Sequence, residues 1–161
     1  TPFAMAIWDS GGVDTIDLSA FTEGNTLNLA SGTSSTVVCE LGGTGWAIGQ
    51  MENNLSIAHG TTIENLIAGS GDDYIVGNTA SNTLTGGDGA DMFVFTGDFG
   101  ADTITDFIVG TDLLMFNGGT IGTAEITESV SGSDLVLTVS VGNTVTLTGL
   151  GTATFDDGFL A

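Results

Sequence analysis

Three nine-residue segments laid end to end constrain this chain more than anything else in it. They are Ala68 to Val76 (AGSGDDYIV), Gly77 to Thr85 (GNTASNTLT) and Gly86 to Val94 (GGDGADMFV). The sixth place reads Asp73, Asn82 and Asp91, the eighth reads Ile75, Leu84 and Phe93, and the fourth reads Gly71, Ala80 and Gly89. A repeat this short implies a solenoid. Each unit is one turn and one short strand, and its single apolar residue is buried only by stacking on its neighbours. The stretch Thr62-Ile63-Glu64-Asn65-Leu66 reads as the tail of an earlier, degenerate repeat, with Glu64 and Leu66 at the sixth and eighth places. Further on, Gly100-Ala101-Asp102-Thr103-Ile104 repeats the pattern out of register.

The repeat carries chemistry as well as shape. It follows the calcium-binding nonapeptide signature G-G-x-G-x-D-x-U-x, in which U is apolar. Glycines early in each turn allow backbone conformations that aim carbonyl oxygens at one point, and the sixth residue adds a carboxylate. Calcium accepts about six to eight oxygens in irregular geometry. Successive turns lie on opposite edges of a roll, so turns two repeats apart face each other. Gly69, Gly71 and Asp73 are therefore expected to share an ion with the turn containing Gly86, Gly87, Asp88, Gly89 and Asp91. Asn78, Ala80 and Asn82 fall on the other edge. There a neutral amide makes a looser site, with the Glu64 turn before it and the Gly97 to Asp102 turn after it as partners. The competing reading is that Gly-Asp clusters are ordinary turns. A single GSGDD fits that reading; three in-register units with apolar eighth places argue against it.

The charge balance points the same way. Twenty acidic residues and no Lys or Arg give a formal charge of −20, so almost nothing in the chain can neutralise its carboxylates. A compact fold of that charge repels itself unless cations bind or the medium is salty. Nucleic acid and anionic membrane surfaces are excluded as partners, because both are held by Lys and Arg. Hydrophobic residues make up 41% of the chain, enough for a core and too many for a disordered segment. Cys39 is the single cysteine, so no intramolecular disulfide can form. No apolar run approaches the roughly 20 residues of a membrane span. The start, Thr1-Pro2-Phe3, lacks a basic region followed by an apolar stretch. The expectation is either an intracellular protein or export without an N-terminal signal.

The rest of the chain reads as nearly all β, within one domain or one domain with a packed appendage. Ala4 to Trp8 is apolar, Asp9 to Asp14 (DSGGVD) is a turn, and Thr15 to Phe21 and Thr26 to Ala30 alternate like half-buried strands. More short strands follow, ending at Leu55-Ser56-Ile57-Ala58. Leu113 to Phe116 reads as an apolar strand. Asp134 to Val141 and Thr144 to Leu150 flank Gly142-Asn143, a two-residue hairpin signal. The expected fold is a right-handed parallel β-roll flanked by β-sandwich-like strands. Residues 1–116 would hold the roll and its N-terminal flanking strands, and 117–161 the C-terminal strands packed on it.

With these residues in view, the chain resembles the C-terminal domain of serralysin-type zinc metalloproteases, of the RTX repeat class. The resemblance rests on a series in order. It runs Ala6-Ile7-Trp8-Asp9-Ser10-Gly11-Gly12-Val13-Asp14-Thr15 with Ile16-Asp17-Leu18-Ser19, Leu55-Ser56-Ile57-Ala58-His59-Gly60, Thr62-Ile63-Glu64-Asn65, the repeats, and Asp91-Met92-Phe93-Val94-Phe95. It implies a calcium held by Asp9, Gly11, Gly12 and Asp14 with Thr62 and Glu64. It implies another near Asp106 and Asp112, with Asp102 nearby; the plain alternative there is solvated turn charge. It further implies secretion through a type I apparatus and an upstream catalytic domain as partner. The end, Thr154 to Ala161, is similar to uncleaved type I export signals, although an ordinary terminal strand reads equally well. The last third, from about residue 117, matches only loosely.

Nothing in the chain supplies catalysis. The family's HExxHxxGxxH zinc helix is absent, and the single histidine, His59, cannot build a three-His site. Cys39 reads as a small buried hydrophobe and His59 as a structural or surface residue. The expected function is thus a calcium-binding, non-catalytic module that folds on calcium after export, with several calcium ions and no zinc. The alternatives are a free-standing calcium-stiffened adhesin or spacer, or the tail of another type I exported hydrolase.

Overall fold

The apolar residue at the eighth place of each repeat decides how the chain winds. The computed structural model describes residues 5–38, 53–116, 126–155 and 159–160. Within the repeats the strands are three residues long: β7 (Tyr74–Val76) and β8 (Thr83–Thr85), with β9 (Met92–Phe95) one longer. In each the central apolar side chain points inward, and Ile75, Leu84 and Phe93 have no exposed surface. Neighbouring strands in sequence fall in different sheets. β7 pairs in parallel with β9, while β8 pairs in parallel with β6 (Asn65–Ile67) and β10 (Ala101–Ile104). This is the parallel β-roll expected from the repeat.

The roll extends beyond the clear repeats on both sides. β2 (Thr15–Asp17) pairs in parallel with β6, and β3 (Thr26–Asn28) with β7. Both were expected to flank the roll; they are rungs of it. β11 (Leu113–Phe116) closes the second sheet beside β9. Register aligns the inward residues into two facing columns. One runs Ile16, Leu66, Leu84, Ile104 and Leu147; the other runs Leu27, Ile75, Phe93 and Leu114. Each column buries one apolar side chain per coil at roughly 25 cal/mol per Å² of apolar surface, so the roll is stable only as a stack.

The two ends are finished differently. Near the start, β1 (Met5–Ile7) pairs in parallel with β5 (Leu55–Ile57), and β4 (Ser34–Ser35) adds to β5 antiparallel. At the other end, β12 (Thr127–Ser131), β13 (Asp134–Ser140) and β14 (Asn143–Leu147) form an antiparallel meander, and β14 joins β10 in parallel. The seven-stranded sheet therefore runs β12-β13-β14-β10-β8-β6-β2, opposite a four-stranded sheet β11-β9-β7-β3. The β13–β14 turn falls on Val141-Gly142, one residue earlier than the sequence signal. Ser140 pairs with Asn143, and Gly142 takes φ +89°. The reason is that Asn143 is drawn inward, where its side-chain oxygen accepts hydrogen bonds from the Phe99 and Gly100 N–H groups. A phenylalanine cluster fills the space beneath. Phe107 stacks on Phe159 at 5.5 Å between centroids and Phe95 stacks on Phe116 at 5.4 Å.

Because Leu84 lies in the middle of its column, Leu84→Ala opens a cavity that the neighbouring coils cannot fill. It is expected to cost about 2–5 kcal/mol, read as a lower urea midpoint with calcium present.

Candidate metal centre

Turns that precede the strands of one sheet stack along one edge of the roll, and a side chain at each sixth place ties one coil to the next. On the edge beside β3, β7, β9 and β11, the Asp73 carboxylate accepts the Asn25 N–H at 2.6 Å. Asp91 accepts the Asp73 N–H at 2.9 Å, and Asp112 accepts the Asp91 N–H at 3.1 Å. The Gly69–Asp73 turn and the Gly86–Asp91 turn are thus brought together, as their spacing requires. The approach is close enough to demand glycine. Gly87, at φ +102°, packs so tightly on the Gly69 carbonyl that a Cβ would collide with it. A Cβ on Gly89, at φ +126°, would lie 2.6 Å from the Gly71 oxygen. Gly86 lies against Asp91 Oδ2.

The same rule operates on the opposite edge. Asp102 Oδ1 accepts the Asn82 N–H at 2.7 Å and Glu64 Oε2 accepts the Asp14 N–H at 2.9 Å. Gly100 packs against the Ala80 carbonyl, so the Asn78–Asn82 turn does meet the Gly97–Asp102 turn. Toward Glu64 it meets the preceding coil through amide donors: Asn78 and Asn82 both donate to the Ile63 carbonyl. The asparagine NH₂ groups there donate to the Ile63 oxygen, while Asn78 Oδ1 and Asn82 Oδ1 accept the Ala80 and Asn78 N–H groups.

Among the described residues, three buried side-chain oxygens have no hydrogen-bond partner: Oδ2 of Asp14, Asp91 and Asp102. An unpaired buried carboxylate oxygen is costly. Burial pushes Asp91 up to about 7, against the lowering effect of the Asp73 N–H, and the charges of Asp112, Asp73 and Asp106 add to the rise. Burial likewise pushes Asp102 up to about 7, opposed by the Asn82 N–H. Asp112 is raised by burial and by Asp106, against the N–H groups of Ile108 and Asp91. Asp14 rises through desolvation first, then through Asp9 and Glu64 facing it. Such groups need a cation or a proton. Among the described residues no three carboxylate, imidazole or thiol side chains converge into a metal cluster. A cation would therefore draw most of its oxygens from the turn carbonyls, beside single carboxylates. That donor set, all oxygen, suits a hard ion such as calcium and not zinc.

The remaining expected residues are less drawn together. Asp9 is half-buried, with Oδ2 accepting from the Gly11 N–H, and Gly12 lies beside Asp14. Thr62 and Asp88 are exposed. Asp106 accepts from the N–H groups of Gly86 and Gly87, which places it against the repeat turn and not out in solvent. His59 is exposed; Cys39 lies outside the described residues. Two residues that join coils escaped sequence reasoning, Asn25 and Asn143. Asn25 stands two residues before the inward Leu27, where the repeats carry their sixth residue, and that position was the available signal; Asn143 opens β14, four residues before the inward Leu147, and no repeat position marks it.

A sequence profile of the family described as Peptidase M10 serralysin C terminal matches residues 1–135. The chain belongs to this family. Relatives agree over about half of the chain. A serralysin of Photorhabdus laumondii is 46% identical over 77 residues, which is 48% of this chain and 14% of that protein. Metallopeptidase AprA of Pseudomonas marginalis is 40% identical over 80 residues (50% and 14%), and serralysin G of Dickeya chrysanthemi 40% over 84 residues (52% and 15%). The matched part of this serralysin C-terminal chain thus spans about one-seventh of those relatives' lengths.

The raised carboxylates fix the sign of a pH effect in chelator. Asp91 and Asp102 hold their protons up to about 7 when folded but only to about 3.9 when unfolded. The folded state binds more protons between those values, so stability is highest at acid pH and is lost as pH rises through 7. In chelator the chain is therefore expected to show more β structure at pH 5 than at pH 8. Far-UV circular dichroism of metal-free protein at the two pH values checks this.

Proposed function

We propose that this chain is a calcium-binding, non-catalytic C-terminal module of a secreted serralysin-type metalloprotease, and that it folds on calcium after type I export. The observation that carries the reading is the pair of buried, partnerless oxygens on Asp91 and Asp102, set in stacked glycine turns of a chain without Lys or Arg. The proposed ligand groups are four. The Gly69–Asp73 turn acts with Gly86–Asp91, and the Asn78–Asn82 turn, through its carbonyls, acts with Gly97–Asp102. Asp9, Gly11, Gly12 and Asp14 act with Thr62 and Glu64, and Asp106 acts with Asp112. Calcium bound in these turns would supply positive charge and satisfy oxygens that the chain leaves bare.

The chain's own residues explain why folding follows the ion. Without a counter-charge, Asp73, Asp91, Asp106 and Asp112 crowd one edge and oppose stacking. A proton on Asp91 relieves part of this below about pH 7. No oxygen cage exists in the unfolded chain, so binding free energy becomes folding free energy. Extracellular calcium modules bind at about 0.1–1 mM, which keeps such a chain unfolded inside a cell and folds it outside. Catalysis belongs, on this reading, to an upstream zinc domain that is the module's partner, because this chain has one histidine.

Chelator-stripped protein titrated with calcium and followed by far-UV circular dichroism tests the proposal. A cooperative gain of β signal between micromolar and millimolar calcium is expected; a signal indifferent to calcium sinks it. Asp91→Asn keeps the oxygen that accepts the Asp73 N–H and removes the charge. It is expected to raise the calcium midpoint roughly tenfold, equivalent to about 1.4 kcal/mol.

A further inference from the structure

The contact between the coil preceding β6 and the coil preceding β8 is built unlike the others. Here the facing oxygens are the Ile63 and Glu64 carbonyls, and both are already taken. Ile63 O accepts from Asn78 Nδ2 at 2.7 Å and from Asn82 Nδ2 at 3.1 Å. Glu64 O accepts from the Thr83 N–H at 2.8 Å and from Asn82 Nδ2 at 3.4 Å. A carbonyl oxygen has two lone pairs, so Ile63 O is fully engaged, while Glu64 O is held by the Thr83 N–H and shares the Asn82 NH₂ group with Ile63 O and with Asn78 Oδ1 at 3.2 Å.

The orientation of both amides is fixed by what their oxygens do. Asn78 Oδ1 accepts the Ala80 N–H at 2.8 Å, and Asn82 Oδ1 accepts the Asn78 N–H at 2.8 Å. Turning either amide over would set oxygen against carbonyl oxygen and NH₂ against N–H. Asn78 Nδ2 also donates to Leu29 O at 3.2 Å and so ties in a third coil. Amide hydrogens therefore point at the oxygens that a cation would need.

We infer that this contact holds no cation, and that the Asn78 and Asn82 amides take the place of an ion there. The inference rests on the calcium reading and refines it: ions on this edge are confined to the contacts on either side. One is the Asp14–Glu64 contact. The other is the Asn82–Asp102 contact, where Asp102 Oδ2 has no hydrogen-bond partner.

The test compares the full chain with Asn78→Ala and Asn78→Asp, counting calcium per chain by native mass spectrometry and melting each at saturating calcium. Asn78 is half-buried and keeps its backbone carbonyl in both variants. Both are expected to bind as many ions as the parent. Asn78→Ala should melt about 5 °C lower, and Asn78→Asp lower still, because its carboxylate faces the Ile63 and Leu29 oxygens. Loss of one ion in Asn78→Ala overturns the inference. So does an extra ion in Asn78→Asp, or a melting point for it at or above that of Asn78→Ala. If Asn78→Asp does not fold, the ion count of Asn78→Ala decides. A parent chain that binds no calcium would defeat the calcium reading, while the melting order would still report on the amide contact.

Discussion

At most of the described coil contacts a backbone N–H at the sixth place is aimed along the axis at the next coil, and the winding depends on what accepts it. In this chain the acceptor is a side chain at the same place one coil on: Asp73 for Asn25, Asp91 for Asp73, Asp112 for Asp91 and Asp102 for Asn82. A buried N–H without an acceptor costs on the order of 1–3 kcal/mol. The ladder therefore does more than stitch the turns together. It sets the spacing at which the apolar columns meet, because the residue two places further on is the one that points into the core.

The same ladder creates the electrostatic difficulty that defines the molecule. Using carboxylates as acceptors puts one charge per coil into a stack from which water is partly excluded. Each carboxylate has two oxygens, and the second needs a partner of its own. Asp73 and Asp112 find one inside their own turns, from the Gly69 and Ile108 N–H groups. Asp91 and Asp102 do not. With no Lys or Arg anywhere in the chain, their neutralisation falls to protons or to bound cations. On the proposed reading, such a fold is conditional on its medium in a way that a fold with internal ion pairs is not.

Where the ladder carries asparagine the difficulty disappears. Asn25, Asn82 and Asn143 accept or give hydrogen bonds without charge. Asn25 stands at one ladder end, where its coil meets Val38, and Asn143 ties the meander to the Phe99–Gly100 turn outside the ladder positions. The chain thus mixes neutral rungs with charged ones, and Phe95, Phe107 and Phe159 pack with other phenylalanines in the core beside them.

The sequence by itself determined the repeat, its register and the inward residues. Period nine with an apolar eighth place admits one way of burying Ile75, Leu84 and Phe93, and glycine at close approaches is a local requirement of the backbone. It also determined the charge problem, which follows from composition alone. Only the tertiary structure decided three things. Thr15–Asp17 and Thr26–Asn28 became rungs of the roll, because the strands they pair with lie about 50 residues away. The β14 strand joined β10 and displaced its own turn by one residue, because Asn143 is held by Phe99 and Gly100. And the amides of Asn78 and Asn82 became donors toward Ile63, a matter of which atom faces which oxygen across a coil contact, and no residue pattern encodes that before the coils are stacked.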